Sequence, residues 1–289
     1  MSDQTQTTAL QEEALGTQSV PPETKSEMTT NVQPNVEKEV EQKAADKRKQ
    51  HIEEAVAALA QTEQALVALG ENDANRALRA LAEVIGKLEL VVTRNPRLAL
   101  APVDVRTTVH DLFANTAAIK AQIDEAQRAL KHDEIQKARR LLAGMASEVM
   151  ITTSHIPLAT YPQAIKAIVP LIDQGQLNEA KAALQAVLGT LVETIDTIAL
   201  PVLRARLLLK QAEGLAENDK RTEQDNKQLT QLFGEIRNQL EMAELLGYGK
   251  KGDFKPIHEQ VKEIEKISSG GKSGKGWFDK IKGQVSKLF

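Results

Sequence analysis

From Lys47 to about Ile267 apolar residues return at intervals of three and four, the period of a helix with one buried face. Three windows share a register: NRALRALAEVIGKL from Asn75, QKARRLLAGMASEV from Gln136 and NEAKAALQAVLGTL from Asn178. Their apolar sets are Ala77, Leu81, Val84 and Leu88; Ala138, Leu142, Met145 and Val149; and Ala180, Leu184, Val187 and Leu191. Steps of four, three and four predict one helix face for each set. Eight residues before each first alanine stands an apolar residue, Leu69, Leu130 or Ile172, that closes a preceding helix. The polar turns between, GENDAN, KHDEIQ and DQGQLN, predict αα-hairpins. Each unit leaves through a proline, Pro96, Pro157 or Pro201, where the helix is expected to end. The exits RLALAPVDV, IPLATYPQAI and ALPVLRA are apolar, which predicts connectors buried against neighbouring hairpins rather than surface loops. A fourth hairpin is expected over LLLKQAEGLAENDKRTEQDNKQLTQLFGEI. Alternating β-branched stretches are few, so the expected class is all-α, a bundle of antiparallel helical hairpins joined by apolar Pro-containing connectors.

The flanks break this pattern. Residues 1–45 are rich in Gln, Thr, Ser, Glu and Pro and read as a disordered arm. The helical domain spans 46–267, SSGGKSGKG at 268–276 is a flexible linker, and WFDKIKGQVSKLF at 277–289 is a tail helix. On a helix, Trp277, Phe278, Ile281, Val285, Leu288 and Phe289 fall within an arc of about 120°. Lys280, Lys282 and Lys287 stand on or beside the remaining face. Aromatics beside lysines on a short amphipathic helix suit an anionic membrane surface, and Lys272 and Lys275 would add about 1 kcal/mol each near one. A partner-protein groove, or the chain's own bundle, would take the same face.

Composition narrows the function. Aromatics are only 3% of the chain and the formal charge is -3, so nucleic acid is set aside as a partner. There is no cysteine, hence no thiol nucleophile and no Cys-based zinc site. His51, His110, His132, His155 and His258 form no i, i+3 or i, i+4 pair, so no metal and no other cofactor is expected. GGKSGKG fails as a phosphate loop because position 266 is Lys266 where glycine is needed. No nucleophile elbow occurs, and catalysis has no support. The opening residues lack a basic and apolar leader, so a cytoplasmic location is expected, with the tail allowing peripheral attachment at the inner membrane.

In four places the chain resembles the YfdX family of bacterial proteins: GKLELVVTRNPRLALAPVDV (86–105), ITTSHIPLATYPQAIKAI (151–168), ALPVLRA (199–205) and the GYG of 247–249. The resemblance implies a helical, often homo-oligomeric protein tied to bacterial stress, including acid stress and drug tolerance, with no family active site. Ile156, Leu158, Tyr161 and Pro162 read first as ordinary core, and the resemblance together with the apolar exits adds the alternative of a small-molecule pocket formed by them. The expected function is a non-enzymatic stress-associated binding protein recruited to a membrane surface by its tail. The alternative is a chaperone-like or scaffold oligomer in which the tail mediates self- or partner association.

Overall fold

The computed structural model describes residues 26–269 and 272–288. In chain order the elements are α1 (Glu27–Arg48), α2 (Glu53–Gly70), α3 (Ala74–Arg94), β1 (Leu100–His110), α4 (Thr116–Lys131), α5 (Ile135–Leu142) and β2 (Glu148–Pro157). There follow α6 (Tyr161–Asp173), α7 (Leu177–Leu188), β3 (Val192–Ala199), α8 (Leu200–Glu217), α9 (Glu223–Leu245), α10 (Lys251–Ser268) and α11 (Asp279–Val285).

The three predicted hairpins are α2–α3, α4–α5 and α6–α7, and their turns close identically. Five residues before each reference alanine a residue takes a left-handed backbone: Asn72 (φ 60°), Asp133 (φ 59°) and Gly175 (φ 75°). The next amide donates back to the carbonyl three from the helix end: Asp73 to Ala68, Glu134 to Ala129 and Gln176 to Leu171, each at 2.9 Å. That is a Schellman turn, for which Asn, Asp and Gly are the suited residues. The fourth hairpin, α8–α9, is also present.

The fold is mostly helical, as expected, but the apolar connectors are not loops. RLALAPVDV runs into β1, whereas IPLATYPQAI joins the end of β2 to the start of α6 and ALPVLRA joins the end of β3 to the start of α8. The three strands pair as an antiparallel sheet in the order β1-β2-β3. Their β-branched clusters, VDVRTTV, VMITTS and VETIDTI, favour the pleated backbone. Only the central β2 has no exposed residue and needs its amides met by pairing on both sides. β1 from Arg106 onward and β3 up to Thr197 are exposed, so the expected burial of all three connectors is corrected. Consequently α5 stops at Leu142 and α7 at Leu188, so Met145, Val149 and Leu191 do not extend those helix faces as expected. Only α3 carries its whole set. Pro96 follows the end of α3, whereas Pro157 closes a strand and Pro201 sits in the first turn of α8. Pro102, which has no N–H to donate, lies where the β1 register slips before Asp104.

Because β1 and β3 both run antiparallel to β2, they enter the sheet at one end and β2 enters at the other. The hairpins before β1 and β3 therefore meet, α3 on α6 and α2 on α7, and bury one core with Ala101, Val103 and Ile156 of the sheet. A second core joins α1, α8, α9, α10 and α11 to Val105, Val149, Ile151 and Ile198.

Two expectations about the flanks are corrected. Residues 1–25 of the expected disordered arm lie outside the described residues, but from Glu27 the arm is a helix in this second core. Met28, Val32, Val36, Val40 and Ala44 recur every four residues and form its buried or half-buried stripe. Ser26 caps it, its hydroxyl accepting from the Thr29 amide at 3.1 Å. The described part of the linker is held rather than free. The Arg221 guanidinium donates to the carbonyls of Leu215 (3.2 Å), Ser268 (3.2 Å) and Lys272 (2.6 Å).

Val32→Ala combined with Val36→Ala removes four buried methyl groups from α1. At about 0.8 kcal/mol for each, the pair should lower the unfolding free energy by about 3 kcal/mol. Urea denaturation measures this, and an unchanged midpoint would show that α1 is not packed.

Candidate functional site

The residues expected to line a small-molecule pocket, Ile156, Leu158, Tyr161 and Pro162, are all buried. The first three belong to the core between the first and third hairpins. They make core, not a lined opening. The Tyr161 hydroxyl is sealed without a well-formed hydrogen bond among the described residues. Burial pushes its pKa up, only partly offset by the nearby Thr62 hydroxyl.

The tail's apolar face is spent on the chain itself. Phe278, Ile281 and Val285 are fully buried in the second core, with Trp277 and Leu288 packed half-buried beside them. Phe278 stacks on Phe233 at 6.3 Å between ring centres. Lys282 donates to Glu213 at 2.7 Å, and this carboxylate raises the lysine's pKa. Lys280 and Lys287 face solvent, while Phe289 lies outside the described residues. The expectation that these apolar side chains face a membrane or partner is thus corrected for this conformation, because the groove beneath α11 offers them a dry surface. Gly249 fits the same groove: a Cβ there would come within 2.8 Å of the Phe254 ring and 3.1 Å of Leu288.

Polar chemistry gathers instead where β1 and β2 meet α1, α8 and α9, at the end of the sheet away from the first core. Arg204 of α8 is buried and donates to Asp111 twice, Nη1 to Oδ1 at 2.9 Å and Nη2 to Oδ2 at 2.7 Å. Such a two-pronged contact is the strongest geometry available to this pair. The Ser147 hydroxyl donates to Asp111 Oδ1 at 3.4 Å, and the Ser147 amide donates to the Tyr248 hydroxyl at 2.9 Å. Burial pushes the Tyr248 pKa up to about 12, reinforced by the Glu148 carboxylate. Tyr248 reaches this point because α9 ends in a Schellman turn at Gly247 (φ 81°), with the Tyr248 amide donating to Ala243 at 3.0 Å.

Beside this pair lies a cavity of about 160 Å³ lined by Thr29, Phe113, Arg204, Glu235 and Gln239 among others. Glu235 Oε1 accepts from Thr29 Oγ1 at 2.9 Å and from Gln239 Nε2 at 2.8 Å. Two buried polar atoms of its lining residues, Arg204 Nε and Gln239 Oε1, have no hydrogen-bond partner among the described residues. One is a donor and the other an acceptor, and leaving either unmet in the interior costs about 1–3 kcal/mol. The sequence reading missed these residues because they come from positions as distant as Thr29 and Gln239. The one local signal was an arginine in the otherwise apolar run LPVLRARLLL. No three His, Asp or Glu side chains gather as metal ligands among the described residues. Nor is any helix among them long and apolar enough to cross a membrane.

A family model described as "YfdX protein" matches residues 58–196. No curated protein matches the chain. Among solved structures the chain is similar to a crystal structure of Salmonella Typhi YfdX, with 15% identity over 51% of this chain and 91% of that one and a TM-score of 0.34. The polar cavity draws its lining at 112–115 from within the matched segment and Thr29, Arg204 and α9 from outside it.

Arg204→Met breaks the ion pair that the buried Arg204 makes with the half-buried Asp111 and should cost about 3 kcal/mol of stability. The double change with Asp111→Leu should restore most of that loss, as chemical denaturation of the single and double variants would measure.

Proposed function

The chain belongs to the YfdX family through residues 58–196, and from this premise we propose that it is a non-enzymatic, stress-associated binding protein whose ligand sits in the cavity beside Arg204 and Gln239. One observation carries the reading: a buried donor and a buried acceptor, Arg204 Nε and Gln239 Oε1, both unmet beside a cavity. The space of about 160 Å³ corresponds to roughly five waters of liquid volume. Arg204 is already neutralised by Asp111, and Glu235 adds a carboxylate, so the lining disfavours an anion. The ligand class that fits is a small neutral molecule carrying a hydroxyl or amide, able to accept from Arg204 and donate to Gln239. A panel of small amides and polyols, each at saturating concentration, should raise the melting temperature of the wild type by a few degrees for at least one member. Gln239→Met, which fills part of the cavity and removes the acceptor, should abolish the shift. Anionic hydroxy acids should give none. Equal shifts in both proteins, or none with any compound, would remove this reading.

Attachment to an anionic membrane is the second reading. In its favour, residues 246–289 hold ten lysines against five acidic residues, and Lys272, Lys275, Lys280 and Lys287 are exposed. Since the apolar face is docked, attachment requires the tail to leave its groove. Glu213→Lys sets a cation against Lys282 without altering the tail, so it should increase flotation with anionic liposomes relative to wild type. Ending the chain at Ile267 should abolish flotation. If neither full-length form floats, the tail is a structural cap and membrane attachment is lost as a function.

A further inference from the structure

The cavity and the tail groove are built on the same two helices. α8 gives Arg204 to the cavity and, further along, Glu213 to Lys282 of the tail. At 3.6 residues per turn these two side chains leave α8 on opposite sides, about 14 Å apart along its axis. α9 is shared in the same way, with Gln239 lining the cavity and Phe233 stacked on Phe278. The C-terminal end of α8 also holds the segment that leads into the tail. The Gly274 amide donates to the Ala216 carbonyl at 3.3 Å, and the Gly276 amide to the Glu217 carboxylate at 3.4 Å. The α8–α9 hairpin is thus one packed wall between two sites.

A second tie runs around the end of that wall. The Gly249 backbone lies against Leu288 of the tail, where a Cβ would come within 3.1 Å. Its neighbour Tyr248 packs on the core that also receives Trp277 and Leu288. The Tyr248 hydroxyl accepts from the Ser147 amide at 2.9 Å, and the Ser147 hydroxyl donates to Asp111 at 3.4 Å. Asp111 in turn fixes Arg204, whose unmet Nε–H belongs to the cavity lining. A turn held by the tail therefore anchors the group that anchors Arg204. We propose that cavity and tail groove are coupled, with Tyr248 as the positioning residue: a molecule held by Arg204 keeps the tail docked, and release of the tail slackens the cavity wall. This rests on reading the cavity as the ligand site and gives that site a regulation. A ligand that needs Arg204 and Gln239 in place binds the tail-docked form better and shifts the population toward it. The effect is mutual, so a surface that captures the tail weakens the ligand by the same factor.

Hydrogen exchange on the full chain reads the two ends separately, each scaled to α3 in the other core. Tyr248→Phe keeps the ring and removes only the hydroxyl. It should speed exchange about 3- to 10-fold, the scale of one lost hydrogen bond, both in the tail at 277–288 and in the strand ends at 108–111 and 147–150. Glu213→Lys, which disturbs the tail end, should speed exchange at those strand ends. Arg204→Met with Asp111→Leu, which disturbs the cavity end, should speed it in the tail. Changes confined to the disturbed end overturn the proposal, and so does a Tyr248→Phe variant that loosens one end alone. Acetamide and glycerol, a small amide and a small polyol, separate this outcome from the ligand reading. Whichever of them raises the wild-type melting temperature should also slow exchange in the tail, and should do neither in Gln239→Met. If neither compound binds while the variants still act end to end, the ligand reading fails for both and the coupling stands. A compound that binds and leaves tail exchange unchanged overturns the coupling.

Discussion

The pairing of β2 with β1 on one side and β3 on the other is the constraint from which the rest of the molecule follows. Val149 and Ile151 of this strand belong to one core, and Ile156 belongs to the other. The sheet is thus the shared wall of two helical layers. Without such pairing the buried β2 would strand its amides at about 1–3 kcal/mol each, so its two neighbours are what allows this strand inside. Direction follows from pairing. Two strands that flank a third antiparallel to both must enter together, and the hairpins ahead of them are brought into contact while the third is sent away.

The far end of the sheet solves a different problem. There β1 gives way to the loop at Asp111, β2 begins just after Ser147, and α8 passes beneath with Arg204. Asp111, Ser147, Arg204 and Tyr248 come from four places in the chain and are tied into one network. Burying a guanidinium is tolerable only because its carboxylate partner is matched two-to-two. Arg204 Nε and Gln239 Oε1 have no hydrogen-bond partner among the described residues, and both residues line the cavity beside this network.

α1 and α11 show how much a flank depends on what it meets. α11 is too short to be a stable helix alone, and in α1 most of the stability has to come from packing of its one apolar stripe. α1 has a sparse stripe and an internal proline, Pro34, and α11 is seven residues long. Both complete the core of α8, α9 and α10 from opposite ends of the sequence, so that core closes only when the two flanks return to it. An amphipathic tail with aromatics and lysines has the same composition whether it lies on lipid or on its own bundle. The choice rests on whether a matching groove exists, and here Phe233 and the bare backbone at Gly249 make one.

Local features were legible in the residues: the hairpins, their turn residues, the helix face of Ala77, Leu81, Val84 and Leu88, and a separate amphipathic tail. Each of these rests on contacts within a few residues, so periodicity reports it. That strands form beside these exits was settled at long range, since pairing joins segments some forty residues apart and leaves no mark on any one of them beyond β-branched clusters. Packing likewise made Tyr161 core rather than pocket, brought Arg204 and Gln239 together beside a cavity, and left Leu142 exposed where Leu81 and Leu184 are buried. Equivalent residues in equivalent local structure differ there for one reason: burial belongs to what stands opposite a side chain, and strand direction set that.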